Sequence, residues 1–447
     1  EFVAEAMSRG AELAVAEREV PGYPVAVVAD ARAALAALAC AVHGDPSREM
    51  EVYGVTGTNG KTTTSYALYA ILAGAGGESS SGLMTTAETI CAGERVGAVR
   101  TTPEAVEVQS LLARMRDSGA RRVVMEVSSH GVALKRVAGV RFAGALFTNL
   151  SREHLDLHGT MEEYYRAKRE LFYMVADGGP MLANADDEHG RRLSREVEGV
   201  STFGLSEDAD YRLTGVSAAP GGTRLSLSWE AGELGLFTPL LGGYNVMNVA
   251  GAAALALAGG VERDSVASAV ENMPQVPGRF ERVAARDEAG FEVIVDYAHT
   301  DVGLEAALSV VREVACGADR SGGDRSGRVI CVFGAAGERD AAKRPLMGRA
   351  AAALFDHAIV TTADAYSESP AAIAREVASG MEGMEGGCEV ILDRREAIAR
   401  ALSLASPGDV VLVAGKGHER VQHLPEGDFP FHDASVVAEL LSERKDG

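Results

Sequence analysis

The sequence predicts an α/β protein of three domains, two of them built on mostly parallel sheets. Three observations support this. Short apolar, β-branched runs alternate with helical stretches, both before and after residue 275. Glycine-rich turns follow several of these runs, as they do where strands deliver ligands at their carboxyl ends. The composition, 47% hydrophobic and 24% charged over 447 residues, allows sizeable cores.

The first fifty residues read as an end piece. The pattern predicts a helix over 2–9, apolar strands over 11–16 and 25–29, and an alanine-rich helix over 31–42. Gly44-Asp45-Pro46-Ser47 breaks the chain there. Strands are then predicted at 122–127, 144–148 and 180–183, an antiparallel insert over 210–238, and an alanine-leucine helix at 250–259. Pro274 to Arg279 reads as a linker. A second α/β run follows, with strands at 292–295, 329–333, 357–361 and 409–413 and a flexible loop at 322–327. The expected domains are 1–48, 49–276 and 277–447.

A net charge of −21 makes nucleic acid and anionic membrane poor partners. The five cysteines (Cys40, Cys91, Cys316, Cys331 and Cys388) form no paired motif, which fits a reducing compartment. No apolar run reaches membrane-spanning length and no signal peptide is visible. A cytoplasmic monomer is the expectation. The chain opens at Glu1 rather than methionine, so its natural start is expected upstream.

The central chemical signal is Val52 to Thr64, where a β-branched run ends in Gly57-Thr58-Asn59-Gly60-Lys61-Thr62-Thr63 and a helix is predicted over 65–72. Two glycines let the backbone turn tightly and aim several N–H groups at one point, where the helix N-terminus adds partial positive charge. Lys61 suits a nucleotide's terminal phosphates and the Thr62 hydroxyl suits Mg²⁺. Val55 stands where the full phosphate-loop signature has its first glycine.

Further groups sit at predicted strand ends. Glu126, followed by Val127-Ser128-Ser129-His130-Gly131, is placed to ligate Mg²⁺, though a solvated strand-end carboxylate is about as common. Glu153, His154, Asp156 and His158 cluster after the strand that ends at Thr148 and would suit a second cation. Lys168, taken by itself, reads as a solvated helix lysine. In the last domain Asp296-Tyr297-Ala298-His299, Gly334-Ala335-Ala336-Gly337-Glu338-Arg339 and Gly415-Lys416-Gly417-His418-Glu419 suggest one crevice for a charged small molecule.

Together with Thr148-Asn149-Leu150, Tyr244-Asn245-Val246-Met247-Asn248 and Gly278-Arg279, these motifs resemble the Mur ligases. The resemblance runs from about Glu51 to the C-terminus. It is closest to the branch that adds the third residue of the peptidoglycan stem. It implies a three-domain architecture: a partial UDP-binding domain, a central phosphate-loop ATPase domain and a Rossmann-like C-terminal domain. It also implies ATP with two Mg²⁺ ions, and two further substrates, UDP-N-acetylmuramoyl-L-alanyl-D-glutamate and a free amino acid. The acid would be activated as an acyl phosphate and attacked by the amine, shielded from water as the last domain closes over the central one.

Site residues follow from the same resemblance. Gly57, Thr58, Asn59, Gly60, Lys61, Thr62 and Thr63 would bind nucleotide, as would Asn245, Asn248, Arg279 and Asp296. Thr62, Glu126, His154 and a carbamylated Lys168 would hold the metal, with Lys61, His154 and Lys168 serving catalysis. Thr101, Thr102, Ser128 and Arg136 would hold the muramyl substrate. His299, Arg339, Asp364, Gly415 and Glu419 would surround the incoming amino acid. Members that add meso-diaminopimelate carry Asp-Asn-Pro-Arg where this chain has Ala363-Asp364-Ala365-Tyr366. Loss of that arginine and gain of Asp364 lead us to expect L-lysine or a similar diamino acid. Gly334-Ala335-Ala336-Gly337, Asp301 and Leu134 also depart from the family pattern. The competing expectations are another amide ligase of the superfamily, acting on folylpolyglutamate or cyanophycin-type acceptors, and a phosphate-loop ATPase serving as a switch.

Overall fold

The computed structural model describes residues 2–153, 155–219, 221–284, 290–315, 327–382 and 387–446. The chain forms two compact units, Glu1–Pro239 with Tyr244–Pro274, and Leu240–Gly243 with Gln275–Gly447.

The first unit is built on an 11-stranded sheet. Its parallel centre runs, in spatial order, Tyr211–Ala219, Val200–Gly204, Met181–Asn184, Phe142–Phe147, Glu51–Thr56, Arg122–Glu126 and Ser81–Met84. Glu51–Thr56 lies between two parallel neighbours, and five of its six residues are buried, so it reads as a continuous apolar run. The predicted insert is antiparallel. Tyr211–Ala219, Gly222–Trp229 and Gly232–Thr238 pair in sequence and extend one edge. The other edge is a meander through Glu88–Cys91 and Glu94–Gly97. Sequence reading missed that meander because Glu94–Gly97 is exposed throughout and carries no apolar alternation.

The end piece folds as its pattern predicts. The strands Ala14–Ala16 and Val25–Val27 pair in parallel, and the Ala31–Val42 helix starts where the Asp30 side chain accepts the Ala33 N–H at 2.9 Å.

The second unit carries a six-stranded sheet in the order Glu281–Ala284, Glu292–Asp296, Val410–Ala414, Val329–Phe333, His357–Val360 and Gly387–Val390. Only Glu281–Ala284 is antiparallel to its neighbour. Leu304 and Leu308, Met347, and Ile373 and Val377 bring three helices onto one face. Ile398 and Val437 bring two helices onto the other. The sheet is doubly wound, so its strand-end loops gather at one edge. Most of the loop predicted at 322–327 lies outside the described residues.

Candidate active site

In the first unit the phosphate-loop strand ends at Thr56 and the helix Lys61–Gly76 follows four residues later. Gly60 has φ of 82°, and a Cβ there would stand 2.2 Å from Asn248 Oδ1. At Gly57 a Cβ would stand 1.8 Å from Thr148 Oγ1. Glycine is therefore required at both positions. Neighbouring strand ends hold the loop. Thr58 N–H donates to Asn149 O at 2.8 Å, Asn59 N–H to Asn149 Oδ1 at 3.0 Å, and Thr148 Oγ1 to Asn59 O at 2.6 Å. Thr64 Oγ1 donates to Asn248 Oδ1 at 3.3 Å, and Asn248 Nδ2 to Asn245 Oδ1 at 3.3 Å. Thr62 and Thr63 are buried in the first helical turn.

Lys168 overturns its solvated reading. It lies in the helix Met161–Arg169 and is 1% exposed. Its ammonium donates to Gly57 O at 2.6 Å and sits 4.5 Å over the Tyr164 ring. Lys61 Nζ donates to the same carbonyl at 3.0 Å and to Thr58 O at 2.8 Å. Burial pushes the Lys168 pKa well down, the Lys61 charge lowers it further, and Glu153 pulls it back. The burial comes from tertiary packing of Tyr164 and Lys168 beneath the loop, which local sequence does not carry.

Glu126 is 1% exposed at its strand end. Its carboxylate accepts from Thr86 N–H at 2.9 Å and Thr86 Oγ1 at 3.1 Å, and that hydroxyl also bonds Thr101 Oγ1 at 3.0 Å. Thr86 is a partner that sequence reading missed, since a lone loop threonine gives no signal. Thr102 Oγ1 donates to Glu126 O and accepts from Ser128 N–H, both at 3.0 Å. Arg136 reaches Thr102 O at 3.2 Å and Glu104 at 2.7 Å. Thr101, Thr102, Ser128 and Arg136 thus form one patch beside Glu126. His154 lies outside the described residues.

These residues fit a nucleotide's phosphates. Two cations converge on one carbonyl and two glycines leave the loop backbone bare, which suits an anion. Thr62 and Glu126 offer oxygen donors of the kind Mg²⁺ takes. Among the described residues no three His, Cys, Asp or Glu are grouped to hold a metal ion, and Mg²⁺ characteristically keeps waters and substrate phosphates in its shell.

In the second unit Asp296 accepts from Phe280 N–H at 2.7 Å and Ala298 N–H at 2.8 Å. Burial pushes its carboxyl pKa up, while Arg279 and the backbone N–H groups oppose this. The Arg279 guanidinium lies 4.5 Å over the Tyr297 ring, and the Tyr297 hydroxyl reaches Glu419 Oε1 at 3.3 Å. Gly415 N–H donates to Asp296 O at 3.0 Å, and His299 Nδ1 lies 2.8 Å from Tyr297 O. Lys416, fully buried, bonds Asp364 Oδ1 and Oδ2 at 2.8 and 2.9 Å and Glu419 Oε2 at 3.0 Å. Asp364 Oδ1 also accepts the His423 N–H at 2.8 Å. Asp364 is therefore neutralised by Lys416, unlike the acidic group the sequence suggested. Burial pushes the Glu419 carboxyl pKa up against the pull of Lys416. Arg339 is exposed on the turn after Val329–Phe333.

A glycine-rich loop ending a central parallel strand, with a buried lysine beneath it, is a site built for the phosphates of a nucleotide. Residues 55–256 match the Mur ligase middle domain, and residues 278–417 match the family's C-terminal model, "Mur ligase, glutamate ligase domain". The chain belongs to the Mur ligase family. It is 39% identical over 450 residues to the UDP-N-acetylmuramoyl-L-alanyl-D-glutamate–2,6-diaminopimelate ligase of Gloeobacter violaceus, covering 100% of this chain and 89% of that protein. The ligase of the same name from Geobacillus thermodenitrificans is also 39% identical, over 454 residues, covering 100% and 90%. A solved structure of a ligase so named superposes with TM-score 0.68 at 28% identity, covering 99% and 89%. Folylpolyglutamate synthase of Mycobacterium tuberculosis, complexed with ADP, shares the fold at TM-score 0.67 and 18% identity, covering 86% and 92%. Among the described residues no helix is long and apolar enough to cross a membrane.

Proposed function

We propose that this chain joins an amino acid to the free carboxylate of UDP-N-acetylmuramoyl-L-alanyl-D-glutamate, at the expense of ATP, in cytoplasmic peptidoglycan precursor synthesis. The observation that carries the reading is the convergence of Lys61 and Lys168 on Gly57 O, the latter from full burial. A carboxylate and a γ-phosphate repel each other, and bringing them together needs positive charge in a dry site, which Lys61 and a bound Mg²⁺ supply while Lys168 is held beside them. Lys61 and the loop N–H groups hold the phosphates. Thr62 and Glu126 offer oxygens to Mg²⁺, which when bound screens the remaining negative charge. The substrate carboxylate oxygen attacks the γ-phosphorus and ADP leaves. The amine then attacks the acyl phosphate carbon, phosphate leaves and an amide forms.

A low pKa gives Lys168 a population of neutral amine, the form that adds CO₂ to become a carbamate. Carbamylation would convert a buried cation into a carboxylate-like ligand. Intact mass in bicarbonate buffer tests it, and an unmodified chain that is fully active would refute it.

The added residue is a diamino acid in this reading. The relatives above are named for 2,6-diaminopimelate and do not support the expectation of lysine, and Asp364 is already paired with Lys416. Tyr366 in place of the expected arginine keeps L-lysine in the comparison. The deciding experiment measures product from the UDP-dipeptide, ATP and each of meso-diaminopimelate, L-lysine and ornithine. ATP turnover indifferent to every amino acid would sink the ligase reading.

A further inference from the structure

Among the described residues of the second unit, Phe280, Glu338 and Tyr366 adopt left-handed backbone without being glycine, and the last two, with φ of 53° and 50°, face each other across neighbouring loops. They sit on adjacent loops, after the strands Val329–Phe333 and His357–Val360. Such strain persists where a particular side chain is held at the turn, since glycine would make the turn without the steric cost.

The two loops are cross-braced. Glu338 Oε1 accepts from Ser367 N–H at 3.2 Å and Ser367 Oγ at 2.6 Å, and Glu338 N–H donates back to Glu368 Oε1. Arg344, 2% exposed, grips both Glu368 oxygens at 3.0 and 2.9 Å and reaches Ala336 O at 3.3 Å. Gly337 N–H closes on Asp364 O at 2.7 Å, and a Cβ on Gly337 would stand 2.1 Å from Ala365 O. Tyr366 is fixed from the other side. Its N–H and that of Ala365 donate to His423 O, and its ring stacks on His423 at 5.1 Å and 11°. Asp428 Oδ1 lies 2.6 Å from His423 Nδ1. Arg339 follows Glu338 on the same turn; burial raises the Tyr366 pKa, and the charge of Arg339 pulls it down.

We propose that Glu338, Ser367, Glu368 and Arg344 are positioning residues for the incoming amino acid, holding Arg339 and Tyr366 in fixed relation where it binds. The inference rests on the ligase reading and adds to it the device that shapes the amino-acid end. Glu338 does this through its side chain, not through its turn, so side chain and turn can be separated by experiment.

The test uses the full chain and the variants Glu338→Gly, Glu338→Gln and Ser367→Ala, each measured for melting temperature and for KM of all three substrates. Glu338→Gly relieves the left-handed strain but removes the acceptor of Ser367 N–H and Oγ, two effects of similar size, so its melting temperature stays close to that of the wild type. Its KM for the amino acid rises about tenfold as Arg339 and Tyr366 lose their fixed spacing, a factor of ten being about 1.4 kcal/mol of binding. KM for ATP and for the UDP-dipeptide stays at the wild-type value. Ser367→Ala moves the same constant in the same direction, and Glu338→Gln, which still offers an acceptor oxygen, lies between. An unchanged amino-acid KM in Glu338→Gly and Ser367→Ala overturns the brace while leaving the ligase reading intact. Equal rises in all three KM values overturn it too, since they signal a general structural role. A wild-type chain that joins no amino acid brings down the ligase reading and the brace with it.

Discussion

Replacing Gly60 by alanine tests whether the phosphate loop is as tightly fitted as it looks. The Cβ would enter left-handed backbone, costing about 1–2 kcal/mol by itself. It would also stand 2.2 Å from Asn248 Oδ1, whose partner is the Thr64 hydroxyl. Asn248 must move, losing a buried hydrogen bond worth about 1 kcal/mol, and the crowding adds about 1–3 kcal/mol. Gly119→Ala is the control. Gly119 has φ of 91° with nothing within 4 Å of the added carbon, so it carries only the backbone term. Gly60→Ala should therefore lie about 2–4 kcal/mol below Gly119→Ala, or roughly 5–15 °C in thermal midpoint for a unit of this size. Its KM for ATP should rise while that of the control stays put. Thermal unfolding and an ADP-release assay read both quantities. Equal midpoints and equal nucleotide KM in the two variants would refute the close-fit argument.

Lys168→Met should keep or raise the thermal midpoint, because it removes a buried ammonium, while ligation falls ~10²–10³-fold; wild-type turnover in the variant would deny the lysine its role. Asp364→Ala leaves Lys416 paired with Glu419 but removes its two bonds to Asp364 and the acceptor of the His423 N–H, and should cost about 1–3 kcal/mol in denaturant titration. Hydrogen bonding from Arg192, on the Glu162–Arg166–Arg192 surface network, holds the Glu162 pKa down to about 2. A depressed carboxylate stabilises the fold fully above its unfolded pKa near 4.5 and loses that contribution as pH falls toward 2. The acid limb of a midpoint-against-pH curve should therefore be shallower in Glu162→Gln than in wild type.

What the sequence made legible was local. Gly57 to Thr63 announces itself because a β-branched run, two glycines and Lys-Thr-Thr stand side by side. Buried parallel strands such as Glu292–Asp296 and Val329–Phe333 match their predicted runs within a residue or two, whereas the parallel strands Ser81–Met84, Val200–Gly204 and Gly387–Val390 had not been predicted. What stayed hidden depends on distant partners. Lys168 is buried because Gly57, 111 positions away, lies over it. Asp364 meets Lys416 across 52 positions, so a residue that looked like a free charge is half of an internal pair. The stack of Tyr366 on His423 and the grip of Thr86 on Glu126 leave no periodic trace. Edge strands such as Glu94–Gly97 escape for another reason: with no buried face they need no apolar pattern.

The contact between Thr64 and Asn248 spans 184 positions. A ribosome adding about 5–20 residues per second needs roughly 10–40 s to cover that stretch. During translation the nascent loop must wait that long for the asparagine that braces it, so the first helical turn of the site gains that brace only when most of the first unit has emerged.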